Sequence, residues 1–293
     1  MKIGAHVSAT GYYYNGIRAG VDLGCEAVQI FTSSPRRWAF RAWKPGEVGK
    51  FVEEREKSGL THAFSHANYL INMAAPEGPQ REKSRNAMLE ELVRVERLGM
   101  DFVVVHPGSF KGLVEAGIPK EEAPAKAVEL IGELLTWVFE RRPEGTGQIL
   151  LENTAGGGTL VGKTFEGLAA ILEAVPSRYR ARVGTCFDTC HAYASGYDLR
   201  TEKAYEETMG ALDDAVGLVR VLAFHLNDSA YPLGSHRDEH ADIGAGELGE
   251  RAFDLLLNDP RFEGRPGVLE THYTKGYDEH RRNLAKLFSL RRN

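Results

Sequence analysis

The chain has 293 residues, 42% of them apolar and 26% charged, and its 36 basic and 41 acidic side chains leave a net charge of −5 with histidine neutral. That balance excludes a disordered chain, and no stretch approaches the roughly 18 uncharged apolar residues of a membrane-spanning helix. Three cysteines, Cys25, Cys186 and Cys190, are too few and odd in number for a disulfide framework; with no signal-peptide core after Met1, a cytoplasmic location is expected.

Apolar runs and helical spacings alternate along the chain. A first strand is predicted over Lys2–Ser8 and a helix over Tyr14–Leu23. Strand Ala27–Thr32 leads to a helix over Pro45–Ser58, and strand Thr61–His66 to a helix over Glu82–Leu98. Strand Phe102–His106 precedes helix Ala123–Phe139, and strand Gln148–Glu152 precedes helix Phe165–Ala174. Strand Val183–Asp188 precedes helix Thr201–Leu218, strand Val219–Asn227 precedes helix Gly249–Leu257, and strand Gly267–Thr271 precedes helix Glu279–Leu290. The strand runs are nearly continuous in apolar character, as for strands buried on both faces of a parallel sheet. Eight strands alternating with eight helices predict an α/β fold, a single (β/α)₈ TIM barrel spanning residues 1–293, with a doubly wound open sheet as the rival.

In such a barrel chemistry sits at the C-terminal strand ends. Polar residues gather there: His6, His66, His106, Glu152, Asp188 with His191, His225 and Glu270, and the loop after the seventh strand adds His236, Asp238 and His240. Seven of the ten histidines fall at these positions. One charged group at the end of an apolar run is ordinary; a ring of them is costly to bury unless cations compensate. Imidazole with carboxylate suits Zn²⁺, Mn²⁺ or Fe²⁺ rather than Ca²⁺ or Mg²⁺ alone. Nine of these residues, all but His6 and His236, are ligand candidates; they exceed the three ligands one catalytic zinc needs, and clustered ions are suited to phosphoryl displacement. A net acidic chain also needs such ions, or a local basic face, to hold a polyanion.

The runs Gly4-Ala5-His6-Val7-Ser8, His66-x-x-Tyr69-Leu70-Ile71-Asn72, His106-Pro107-Gly108-Ser109 and Leu151-Glu152-Asn153-Thr154-Ala155-Gly156 resemble the endonuclease IV family of apurinic/apyrimidinic endonucleases. So do Asp188-Thr189-Cys190-His191-Ala192, His225-Leu226-Asn227-Asp228, Asp238-x-His240-x-x-Ile243-Gly244 and Glu270-Thr271, in the same order from residue 4 to residue 271. The resemblance implies three divalent ions, usually zinc. His66, His106 and Glu152 would hold the first; Glu152 would bridge to a second held also by Asp188, His225 and Glu270; His191, Asp238 and His240 would hold the third. It implies a monomer that incises double-stranded DNA 5′ to abasic sites with a hydroxide activated by the ions, leaving a 3′-hydroxyl and a 5′-deoxyribose phosphate, and that trims blocked 3′ ends. Glu152 would be the catalytic bridge, and Arg36, Tyr69, Leu70 and Asn72 would touch DNA, with side chains wedged at the lesion as in base-flipping enzymes.

Two departures bear on DNA affinity rather than on the reaction. Glu239 stands where the family usually has arginine, and Gly156-Gly157-Gly158 replaces a run that often carries a central glutamine. His6 is expected to support ligands rather than be one, Cys186 and Cys190 to pack, His62 and His280 to lie on the surface, and His272 to stand at most behind a ligand. The competing function is a single-metal sugar isomerase or epimerase of the xylose isomerase-like group, which Glu152, Asp188, His225 and Glu270 would serve alone; His66, His106, His191, Asp238 and His240 would then be surplus.

Overall fold

A computed structural model describes residues 1–292. Eight parallel strands close into a barrel: β1 (Lys2–His6), β2 (Ala27–Phe31), β3 (His62–His66), β4 (Phe102–Val105), β5 (Gln148–Glu152), β6 (Val183–Asp188), β7 (Val221–His225) and, after a small hairpin, β10 (Pro266–Leu269), which pairs with both β1 and β7. Between them run α1 (Tyr14–Asp22), α2 (Glu47–Ser58), α3 (Pro79–Leu98), α5 (Ala123–Glu140), α6 (Phe165–Ala174), α8 (Glu202–Ala215), α9 (Glu250–Leu257) and α10 (Asp278–Leu290). The expected barrel and all eight principal helices are present. No helix among the described residues is long and apolar enough to cross a membrane.

Two apolar layers hold the barrel. Ala27, Phe64, Phe102, Val104, Leu150, Cys186, Ala223 and Val268 fill its interior, and a larger shell lies between strands and helices. Cys186 is therefore a packing residue of the interior. β1 and β2 approach so closely that a Cβ on Gly4 would sit 1.7 Å from the Ala27 carbonyl oxygen, so only glycine fits there.

Several details depart from the sequence reading. Helix α3 begins at Pro79 rather than Glu82, because Pro79 stands in the first turn, where its missing N–H costs nothing. A 3₁₀ turn over Leu218–Arg220 delays β7 to Val221. Small elements are additional: α4 (Lys111–Glu115), α7 (Thr189–Ala194), an antiparallel hairpin of β8 (Asp228–Ser229) and β9 (His240–Ala241), and 3₁₀ turns over Ser177–Arg182 and Pro260–Phe262. His280, expected on the surface, is fully buried and its Nε2 lies 3.0 Å from the His6 carbonyl oxygen. It shares the inward stripe of α10 with Asn283, Leu284 and Leu287. His62 is half-buried, between Asp101 (2.9 Å) and the Gly264 carbonyl (3.0 Å).

Candidate metal centre and nucleic-acid interface

Each expected ligand lies at the mouth of the barrel. His66, Glu152, Asp188 and His225 are the last residues of β3, β5, β6 and β7; His106 and Glu270 directly follow β4 and β10. Asp188 also caps α7, its Oδ1 accepting from the His191 amide at 2.7 Å, which puts His191 one turn above the sheet. Asp238 and His240 come from the β8–β9 hairpin.

Glu152 is the hub. It is fully buried, with Oε2 3.1 Å from both His66 Nε2 and His106 Nε2, and Oε1 3.0 Å from His225 Nδ1 and 3.2 Å from His191 Nδ1. Potential donor atoms fall into groups lying within 4.8 Å of one another: His66, His106 and Glu152; Glu152, Asp188, His225 and Glu270; and His191, Asp238 and His240. A fourth group joins Asp188 and His240 to Cys190. Burial pushes the Cys190 thiol up to about 12, and its Sγ donates to the Glu239 carbonyl at 3.7 Å.

Protein acceptors select which imidazole nitrogen is free. His66 Nδ1 donates to the Ala67 carbonyl at 2.7 Å, leaving Nε2 toward Glu152. His191 Nδ1 donates to the Asn153 carbonyl at 2.9 Å, leaving Nε2 3.1 Å from Asp238. His225 Nε2 donates to Gln29 Oε1 at 2.9 Å, leaving Nδ1 toward Glu152 and Glu270. This is how partners behind metal ligands fix tautomer and orientation. Gln29 also acts through its other amide atom, as Nε2 donates to Glu270 at 2.7 Å and to His6 Nδ1 at 2.8 Å. The sequence reading missed Gln29; its only signal was one amide inside the apolar strand Ala27-Val28-Gln29-Ile30-Phe31. His6 stands behind Gln29, as expected. His272 is exposed and lines the adjoining cleft.

Backbone groups at the strand ends are tied to one another as well. Asn153 Nδ2 donates to the Asp188 carbonyl at 3.0 Å and its Oδ1 accepts the Asp188 amide at 2.7 Å. Asn227 Nδ2 donates to Asp188 Oδ2 at 2.7 Å, and Asn227 Oδ1 accepts the Glu270 amide at 2.8 Å. A belt of side-chain amides thus links β5, β6, β7 and β10 just below the donors.

The electrostatics fit divalent cations. His191 Nε2 and His240 Nε2 are buried without a hydrogen-bond partner, although both face Asp238 Oδ1, at 3.1 and 3.4 Å. Orphaned imidazole nitrogens converging on a carboxylate are what a bound cation would satisfy. Burial alone would push the Glu152 carboxyl up, but the surrounding histidines, His225 and His106 foremost, hold it well below the usual range. Burial likewise opposes a charge on His191, yet Asp188, Asp238 and Glu152 hold it well above the ordinary imidazole value.

A cleft of about 860 Å³ adjoins this centre, between the loops after β1, β2 and β10. Tyr69 stands on its wall, 55% exposed, its ring 5.6 Å from Phe31 and 5.7 Å from His66. Leu70 beside it is half-buried, and Arg36 is exposed on the loop after β2. That loop is braced from below: buried Arg94 donates to Tyr13 Oη at 2.5 Å and to the Arg41 carbonyl at 2.8 Å, while Arg41 pairs with buried Glu47. Asn72, the fourth expected DNA contact, makes local hydrogen bonds in this structure. Its Nδ2 donates to the Ser109 carbonyl at 3.0 Å, and its Oδ1 accepts from the Ser109 and Ala74 amides at 2.9 and 3.1 Å. The amide is thereby committed to holding the loop that follows His106. Glu239 is exposed, and Gly156 and Gly157 lie beneath His236, whose Nδ1 is 3.2 Å from the Ala155 carbonyl.

A family model for xylose isomerase-like TIM barrels matches residues 17–288. A protein named "Probable endonuclease 4" from Citrifermentans bemidjiense is 42% identical over 269 residues, 92% of this chain and 91% of its own. One of the same name from Chloroflexus aggregans is 42% identical over 289 residues, 99% of this chain and 97% of its own. The solved endonuclease IV from Thermus thermophilus superposes with a TM-score of 0.83 at 36% identity, covering 99% of this chain and 98% of that one. A D-tagatose 3-epimerase-like protein superposes with a TM-score of 0.72 at 19% identity over 99% of this chain and 95% of its own, a likeness of fold alone.

Proposed function

The chain belongs to the endonuclease IV family of xylose isomerase-like TIM barrels, and from that membership we propose that it repairs DNA by hydrolysing the phosphodiester bond 5′ to abasic sites, leaving a 3′-hydroxyl and a 5′-deoxyribose phosphate, and that it trims blocked 3′ ends. The observation that carries this reading is the surplus of donors: three groups converge on the mouth, two of them sharing Glu152. A single-metal epimerase would use Glu152, Asp188, His225 and Glu270, and would leave His66, His106, His191, Asp238 and His240 without a role.

Three divalent ions, zinc in this reading with manganese or iron as substitutes, would be held by His66, His106 and Glu152; by Glu152, Asp188, His225 and Glu270; and by His191, Asp238 and His240. When bound, the ions supply Lewis acidity for water activation and offset the charge that develops at phosphorus and the leaving oxygen. The chain's own residues do the rest. Glu152 presents one oxygen to each of two donor groups and so sets their separation. Asn153, Ala67 and Gln29 hold His191, His66 and His225 in the tautomers that leave their inner nitrogens unprotonated. Tyr69 and Leu70 enter the duplex at the lesion and fill the gap left by the missing base, and Arg36 offers charge to the backbone. Asn72 acts indirectly, through the His106 loop. The working unit is a monomer of one domain in the cytoplasm.

The test is incision of a duplex carrying one tetrahydrofuran abasic analogue, before chelation, after it, and after zinc is restored. A 5′ cut that is lost and regained supports the reading. No cut with zinc restored, together with epimerisation of a ketose, would replace it with the sugar-isomerase alternative.

A further inference from the structure

Asp228 is buried, opens β8 three residues beyond His225, the last residue of β7, and makes none of its five side-chain hydrogen bonds to a candidate ligand. All five come from backbone amides. Oδ1 accepts from Ser229 at 2.8 Å and Leu248 at 3.0 Å; Oδ2 accepts from Gly244 at 2.9 Å, Gly246 at 3.2 Å and Gly249 at 3.3 Å. Segment 244–249 is therefore wrapped around one carboxylate, an anion in a nest of amide donors. The wrapping is tight. A Cβ on Gly246 would come within 2.4 Å of the Ser229 carbonyl oxygen and 2.5 Å of Asp228 Oδ1. Five donors exceed what an amide side chain can accept, since asparagine offers one oxygen where aspartate offers two.

The clamp is connected to the ligands. β8 pairs with β9 so that Asp228 lies opposite Ala241 and Ser229 opposite His240. The Ala230 amide donates to the Glu239 carbonyl at 3.0 Å, and the Glu247 amide to the Ser229 carbonyl at 2.8 Å. β8 thus lies between the wrapped segment and the arm that carries Asp238 and His240. From this placement we propose that Asp228 is a positioning residue for the third donor group: its carboxylate gathers segment 244–249 behind β8 and thereby fixes Asp238 and His240 toward His191. The proposal rests on the three-ion reading above. Asp228→Asn leaves an NH₂ facing two or three amide donors and frees that edge of the nest. Gly246→Ala attacks the same contact from the backbone side.

Wild type, Asp228→Asn and Gly246→Ala are loaded with zinc, and ions per chain are counted against a rising concentration of chelator. Wild type is expected to hold three ions. Each variant keeps two at wild-type affinity and releases the third at roughly 10- to 100-fold less chelator, the scale seen when a ligand's supporting partner is removed. KM for the abasic duplex stays within about twofold while kcat falls at least about tenfold, the pattern of a lost transition-state interaction. Retention of the third ion at wild-type affinity in folded Asp228→Asn overturns the proposal. So does simultaneous loss of all three ions, or failure of both variants to fold, because a positioning role requires a barrel that stands without the clamp. Fewer than three ions in wild type defeats the three-ion reading instead. The hold on the arm is then decided by amide exchange at Gly244, Gly246, Leu248 and Gly249: faster exchange there in Asp228→Asn, with β1–β6 unchanged, sustains it, and equal exchange overturns it.

Discussion

Replacing Glu152 by glutamine probes the hub without changing its shape. The side chain is wholly enclosed, and four imidazole nitrogens stand 3.0–3.2 Å from its two oxygens. Glutamine preserves the volume and one acceptor, but its NH₂ cannot ligate a cation and must point at one of the two groups that the carboxylate serves. The lost interaction is that of a unit charge with the proposed cations on either side. With the effective dielectric near 20 that describes protein sites, a unit pair at about 4 Å is worth about 4 kcal/mol. At 1.36 kcal/mol per tenfold in rate, the expected fall in kcat is about 10³-fold, and more if both cations are affected. The assay is single-turnover incision of a tetrahydrofuran duplex by size-exclusion-purified Glu152→Gln protein, with zinc counted and the melting temperature recorded in parallel. The fold should survive, since no cavity is made and no new buried charge appears. A folded, zinc-loaded variant that incises within about tenfold of wild type would refute the bridging role.

Tyr69→Ala should weaken binding to an abasic duplex more than to an undamaged one, as measured by fluorescence anisotropy at fixed salt; equal losses count against a wedge. Gln29→Leu should release the tautomer of His225 and the orientation of Glu270, lowering zinc affinity about 10- to 100-fold, as read by chelator competition, with little loss of thermal stability. Arg94→Met strands the Arg41 carbonyl and unbraces the loop after β2, so a loss of about 3 kcal/mol in urea unfolding is expected, with a raised KM; an unchanged KM would show the loop needs no brace. Zinc should displace at least one proton when it loads the metal-free protein near neutral pH, because His191 is held charged there by Asp188, Asp238 and Glu152 against the opposing effect of burial. The sign follows from the raised imidazole: its contribution to stability is fully present below about pH 6.5 and is lost as pH rises through the raised value, so the metal-free form weakens toward alkaline pH while the loaded form does not. Calorimetry in buffers of different ionisation enthalpy reads the proton; identical heats would contradict it.

Much of the site was legible because a parallel barrel writes its chemistry at predictable places. Apolar runs that stop at His66, Glu152 and Asp188 marked three strand ends, the seventh run was drawn two residues past His225 to Asn227, and the alternation with helical spacing ordered them. Missed features depend on partners far apart in the chain. Gln29 meets His225 and Glu270 across 196 and 241 residues, and its run reads as an ordinary strand with one tolerated amide. Asn72 sits in a run that suggested DNA contact, but its amide is used by Ser109 and Ala74, which only the folded loop reveals. Helices as short as α4 and α7 carry too few turns to show a period. His280 is different, because its signal was present: with Asn283, Leu284 and Leu287 it follows the three-four spacing of a buried stripe, masked by the charged residues around it.

The belt formed by Asn153 and Asn227 has a consequence for how the enzyme meets its cations. Those amides join neighbouring strand ends through the protein's own hydrogen bonds, so the socket is cast when the barrel closes and not when an ion arrives. Little ordering entropy is left for the proposed ions to spend on loading, because the scaffold that would hold them is already tied together.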